Sequence, residues 1–157
     1  MTEHRFADAA ALEVKTEPEE VGIGLEEAKF GGPRPGLNGI RVTLPGASTV
    51  WLIDRGYKRA IPNPETYNNL FRDWNGIVVD IHVDDIPSGP DISNGAVLAT
   101  VHGPGTVFLI DNGRKRGIAS PAVMNKYHFA WNRIYRVPRI LLASIPDGDV
   151  IKLGSPE

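Results

Sequence analysis

Short runs of alternating apolar and polar residues, each ended by a turn signal, organise the chain from residue 38 onward. Ile40-Arg-Val-Thr-Leu44 alternates as a strand does, and Asn38-Gly39 and Pro45-Gly46 bracket it with turns. Val50–Asp54 predicts a second strand, Arg55-Gly56 a tight turn, and Tyr57–Ile61 the returning strand of a hairpin. Asn63-Pro64 then supplies an N-cap followed by proline at the first helical position. A short helix over about 64–71 follows, with Tyr67, Leu70 and Phe71 facing inward. Ile77–Val83 reads as a further strand.

The same succession returns at an offset of 57 residues. Residues 45–77 aligned with 102–134 share 15 identities in 33 positions, where unrelated segments share roughly two. The second copy predicts a hairpin turning at Asn112-Gly113, the favoured pair for a type I′ turn because both positions need positive φ. Ser120-Pro121 opens a helix over about 121–128 that turns Val123, Met124 and Tyr127 inward. Ile134–Val137 is its last strand, and Arg139–Ala143 reads as a helical turn. Ile86-Pro-Ser-Gly and Ile145-Pro-Asp-Gly recur at an offset of 59. The resulting expectation is an α+β fold of two tandem β-β-α-β repeats packed with pseudo-twofold symmetry. Residues 37–95 form repeat 1 and residues 96–157 repeat 2. One unit of this size buries too little surface to stand alone.

A two-residue turn fixes the cross-strand pairs. Asp111 faces Arg114, Ile110 faces Lys115, Leu109 faces Arg116, and Phe108 lies over Gly117 as Trp51 lies over Ala60. Arg59 and Arg116 fall on the apolar face, with Asp54 and Asp111 as diagonal charge partners, which reads as scaffold. Lys58 and Lys115 fall on the opposite face beside Trp51 and Phe108, where they are better placed to meet a partner. Trp74 and Trp131 close the helical segments. They read first as caps on the core with the indole N–H paired, and second as a sugar-stacking platform, one per repeat. The candidate ligand-binding residues are therefore Trp51, Lys58, Phe108, Lys115, Trp74 and Trp131.

Composition narrows the classes. The 157 residues contain no cysteine, which excludes disulfides and thiolate metal sites. The net charge of −2 is unevenly spread: residues 1–36 carry four Lys/Arg against eight Asp/Glu, leaving the remainder with a slight positive excess. That excess is too small for a nucleic-acid binder. Residues 1–36 read as an acidic, weakly structured arm, with one short helix predicted from His4 to Val14 and a linker at 31–36. No apolar run reaches the length of a membrane-spanning helix. Residues 1–25 lack the pattern of a signal peptide, so the simplest placement is cytoplasmic, and extracellular if a leader has been removed.

Catalytic motifs are missing. His4, His82, His102 and His128 are scattered and none recurs between repeats. Asp80, Asp84, Asp85 and Asp91 lack the ligand spacing of a calcium loop. No cofactor or metal is implied. The recurring residues are apolar, cationic and turn-forming, which argues against an enzyme. The pattern Val-aromatic-Leu-Ile-Asp-x-Gly-x-Lys-Arg-x-Ile, then Ser/Asn-Pro, a short helix, a Trp, a strand and Ile-Pro-x-Gly resembles a tandem repeat of bacterial secreted and cell-surface proteins. The resemblance spans residues 44–151, is stronger in the second copy, and implies no specific ligand residues. The leading expectation is a non-catalytic module binding a carbohydrate or cell-surface polymer through duplicated hairpin sites. The second is a protein-interaction or assembly module, homo-oligomeric or with another protein. The third is a small enzyme in which His82 or His102 and nearby aspartates converge in one pocket.

Overall fold

The structure is a computed structural model that describes residues 32–153. Residues 1–31 of the acidic arm, the predicted His4–Val14 helix among them, and the last four residues lie outside the described residues. The fold is α+β, with two four-stranded mixed sheets and few helices. The first sheet holds β1 (Arg41–Thr43), β2 (Trp51–Asp54), β3 (Tyr57–Ala60) and β4 (Val78–Val79) in the order β3-β2-β1-β4. The second holds β5 (Val97–Val101), β6 (Phe108–Asp111), β7 (Arg114–Gly117) and β8 (Ile134–Val137) in the corresponding order β7-β6-β5-β8. In each sheet the first three strands are antiparallel and the last joins parallel to the first. Each unit is thus β-β-β-α-β. The second unit has a strand over residues 97–101 for which the sequence reading made no provision.

Helix α1 (Pro64–Leu70) begins where expected: the Asn63 side chain accepts from the Thr66 N–H at 2.8 Å, and Pro64 occupies the first turn. Helix α2 (Pro121–Lys126) is opened the same way by Ser120. It ends two residues before the predicted boundary because His128 adopts a left-handed conformation (φ 60°). The segment Arg139–Ala143 is helical, as its sequence predicts, and forms α3. The predicted strand over Ile77–Val83 is cut to two residues. Asp80 accepts from the His82 backbone N–H at 2.8 Å and starts a 3-10 helix at Ile81–Asp85 instead.

Both Ile-Pro-x-Gly segments find the same role. Each runs parallel to the outer strand of its hairpin, with Lys58 N–H bonded to the Pro87 carbonyl and Lys115 N–H to the Pro146 carbonyl. Gly89 and Gly148 permit this approach, since a Cβ on Gly89 would lie 3.0 Å from Tyr57 Cβ and one on Gly148 2.9 Å from Arg116 Cγ.

One apolar core joins the two units. Val50, Leu52, Tyr67, Leu70 and Phe71 of the first pack in a single cluster with Leu98, Leu109, Val123, Met124 and Phe129 of the second. Phe71 and Phe129 form a bridge between the segments that follow the helices, and their rings stack at 5.7 Å. Around it, Arg72 donates to the Phe129 carbonyl, Arg133 to the Asn68 and Phe71 carbonyls, and His128 Nε2 lies 2.8 Å from Asp73. A smaller cluster of Leu37, Val42, Ile53, Val78, Val83 and Ile86 fills the other face of the first sheet. Among the described residues no helix is long and apolar enough to cross a membrane.

Candidate functional site

The hairpins have the register the sequence predicts, from Asp54 opposite Tyr57 to Trp51 opposite Ala60 and from Asp111 opposite Arg114 to Phe108 opposite Gly117. Both turns are of the primed kind, with φ of 55° and 83° at Arg55-Gly56 and 54° and 75° at Asn112-Gly113. The register brings Asp54, Arg59, Asp111 and Arg116 to the junction of the two units, and all four are buried.

Their pairing matches the expected one in the first hairpin and departs from it in the second. Arg59 donates to Asp54 of its own hairpin at 2.9 Å, and also to Asp111 of the other at 2.5 Å. Arg116 bypasses Asp111 and reaches across to Asp54, at 2.5 and 3.2 Å. Asp111 instead accepts from the Ser93 N–H and hydroxyl. The motif thus braces the first hairpin through Arg59 and Asp54 and clasps the two units together through Arg59–Asp111 and Arg116–Asp54. Burial alone would raise the pKa of Asp54, but the guanidiniums of Arg116 and Arg59 outweigh it and hold the carboxyl below its ordinary value. Burial, reinforced by the nearby Asp54 charge, pushes the Tyr127 hydroxyl up.

The repeated lysines are also engaged. Lys58 is buried, its Nζ donates to the Ile86 carbonyl at 2.6 Å and lies 5.8 Å from the Trp51 ring centroid. Lys115 Nζ donates to the Ile145 carbonyl at 2.7 Å, pairs with Asp147 at 2.8 Å, and lies 5.8 Å from the Phe108 centroid. The Nζ–carbonyl bonds tie each Ile-Pro-x-Gly segment to its hairpin, and the aromatic ring within the hairpin lies at cation–π distance from the same ammonium. Trp74 stacks on Tyr67 at 3.8 Å and donates to Asn68; Trp131 donates in the same way to Asn125 and stays half exposed. The six residues singled out from the sequence therefore lie in two groups, beside the Ile-Pro-x-Gly segments and at the helix ends, and do not meet at one place.

Among the cavities that open at the hairpins are two neighbouring ones whose linings correspond. The larger, about 630 Å³, is lined by Pro33, Asp54, Arg55, Tyr57, Arg59, Ser88, Gly89 and Pro90. The other, about 430 Å³, is lined by Pro90, Asp111, Asn112, Arg114, Arg116, Asp147, Gly148 and Asp149, together with Arg55 and Arg59. At the offsets of 57 and 59, each residue of the first list corresponds to one of the second. The base is retained: Asp54 and Asp111, Arg59 and Arg116, Gly89 and Gly148. The walls have diverged. Tyr57 is replaced by Arg114, Arg55 by Asn112, Ser88 by Asp147 and Pro90 by Asp149. Weight on the identical positions leaves Tyr57, Arg55 and Arg114 outside the candidate ligand-binding residues, although Tyr57 stands beside the repeated cations in the sequence. The signal that finds them is the reverse one, change within an otherwise constant hairpin.

His82 contacts Asp80 at 2.9 Å, His128 contacts Asp73, and His102 is exposed; none lines either cavity. Among the described residues no group of three or more His, Asp or Glu side chains is placed to hold a metal ion. Comparison with protein-family models, with curated proteins and with solved structures finds no match for the chain.

Proposed function

We propose that this protein is a non-catalytic module that binds a carbohydrate or cell-surface polymer, in the cavities at the turn ends of the two hairpins. The observation that carries the proposal is the Tyr57 cavity. There an exposed phenol ring shares a cavity lining with Pro33, Pro90 and a buried Asp54–Arg59 pair. Apolar ring faces beside fixed polar groups suit a sugar, which presents an apolar face and a polar rim. A second, neighbouring cavity supports a polymer over a single sugar, because two adjoining weak sites act together on one chain. The carboxylates nearby are engaged with guanidiniums, which suits holding a ligand better than transferring protons.

Titration calorimetry of the full chain against soluble wall polysaccharides tests this. The expected result is binding that Tyr57→Ala weakens about tenfold, a loss typical of one aromatic contact, with an unchanged melting temperature. Unaltered binding by Tyr57→Ala, or no binding of any polysaccharide, would sink the proposal.

A protein-assembly role has its own supporting observation. Tyr135 on the edge strand β8 and Ile140 and Leu141 on α3 are all more than half exposed. Light scattering over a concentration series separates this reading, since a strict monomer that captures no partner counts against it.

A further inference from the structure

We infer that the ligand is a polysaccharide carrying carboxylates, with a sugar ring seated on Tyr57 and the carboxylate of a neighbouring unit held by Arg114. This deepens the proposed function and rests on it. The argument is a charge count over the second cavity. Its walls hold four arginines and three aspartates. Arg59 is bound by Asp54 and Asp111, and Arg116 by Asp54. Arg55 is bound by Asp149, and Asp147 by Lys115. Arg114 alone, among the described arginines lining the cavity, has no carboxylate within ion-pair distance. Its NH1 donates only to the Asp147 backbone carbonyl, at 3.1 Å.

An exposed guanidinium with donors to spare is a bidentate receptor for a planar carboxylate. Asn112 beside it offers an amide whose bond to the Asp91 carbonyl, at 3.4 Å, is long and easily exchanged. Arg114 occupies the place that Tyr57 holds in the first cavity, and the two cavities share Arg55, Arg59 and Pro90 as a common wall. A linear polymer crossing that wall presents one unit to a ring and the next to a cation. The change from Tyr to Arg at matched positions is what a chain with acidic units would require.

The probes are an oligogalacturonate, its methyl ester, which keeps the ring and removes the charge, and polyglutamate. Titration calorimetry is expected to show the free acid binding about tenfold more tightly than the ester, the scale of one exposed charge-assisted contact. Arg114→Ala is expected to bring the affinity for the free acid down to that for the ester, and added salt to reduce the preference in the unaltered chain. A preference that survives Arg114→Ala overturns the inference. So does polyglutamate binding as tightly as the oligogalacturonate, which would make the ligand an acidic peptide. If the ester binds through Tyr57 with no preference for the acid, only the carboxylate assignment falls. If neither sugar binds, the polysaccharide reading falls with it.

Discussion

Asp54 is the carboxylate on which both arginines of the clasp converge. It accepts from Arg59 and from Arg116, so its removal leaves two buried guanidiniums short of a counter-charge. Breaking a buried pair of this kind costs about 3–5 kcal/mol, and Asp54→Ala is expected to lower unfolding free energy by that amount in denaturant titrations. Asp111→Ala leaves Arg59 still bonded to Asp54 and should cost less. The same residue sets a pH dependence. The folded-state pKa of Asp54 lies below its ordinary value of 3.8, so its contribution is complete above that value. The contribution is lost as pH falls through the lower folded value. Circular dichroism during acid titration should show wild-type stability falling in that window, and a shallower fall for Asp54→Asn. An equal slope in both chains would count against the clasp. The residue scale is also where sequence reading was least complete. The hairpin register puts Arg116 on the apolar face, but its carboxylate partner, Asp54, belongs to the other unit, and no pairing rule within one hairpin names it.

At the scale of elements, local rules carried far. Asn63 and Ser120 cap their helices, and the hairpins keep the register that a two-residue turn imposes. The two turns offer a direct comparison. Both glycines have positive φ, so replacement by alanine costs about 1 kcal/mol or more at either. At Gly113 a Cβ would meet nothing within 4 Å, whereas at Gly56 it would lie within 3 Å of Pro33 and the Arg34 and Pro35 nitrogens. Gly56→Ala is therefore expected to lose clearly more stability than Gly113→Ala in thermal melts. Equal losses would mean that Pro33–Pro35 does not rest on the hairpin. Two elements escaped the local rules. The strand at residues 97–101 pairs on both sides within the second sheet and carries a buried centre, with less alternation to betray it. The strand expected at Ile77–Val83 yields after Val79 because a side chain, Asp80, offers the backbone a competing hydrogen bond.

For the whole molecule the decisive feature is that the main core belongs to both units. Neither hairpin can loosen without exposing residues that the other covers, so unfolding is expected as one cooperative transition by fluorescence and circular dichroism alike. Phe71→Ala, on the bridge between units, should move that single transition by about 3–5 kcal/mol, the usual cost of deleting a buried phenyl ring. Two separated transitions, one per unit, would contradict the shared core. The clasp at Asp54 and the bridge at Phe71–Phe129 tie the units at separate places and so limit how they can shift against each other.

The amino-acid sequence by itself determined the duplication, the hairpin register, the helix starts and the α+β class, because each follows from short-range periodicity, capping and turn chemistry. It also marked the Asp, Lys and Arg of the motif as important without revealing to what end. Only the tertiary structure decided their partners: Lys58 and Lys115 go to the carbonyls of Ile86 and Ile145, and Arg59 and Arg116 go across the junction. Only the fold, too, brought Tyr57 beside Pro33 and Pro90 and left Arg114 without a carboxylate. The physical reason is range. Turns and strands are fixed by neighbours a few residues apart, whereas a buried charge or a cavity wall is completed by whatever the folded chain brings alongside. In this molecule that was often the other unit.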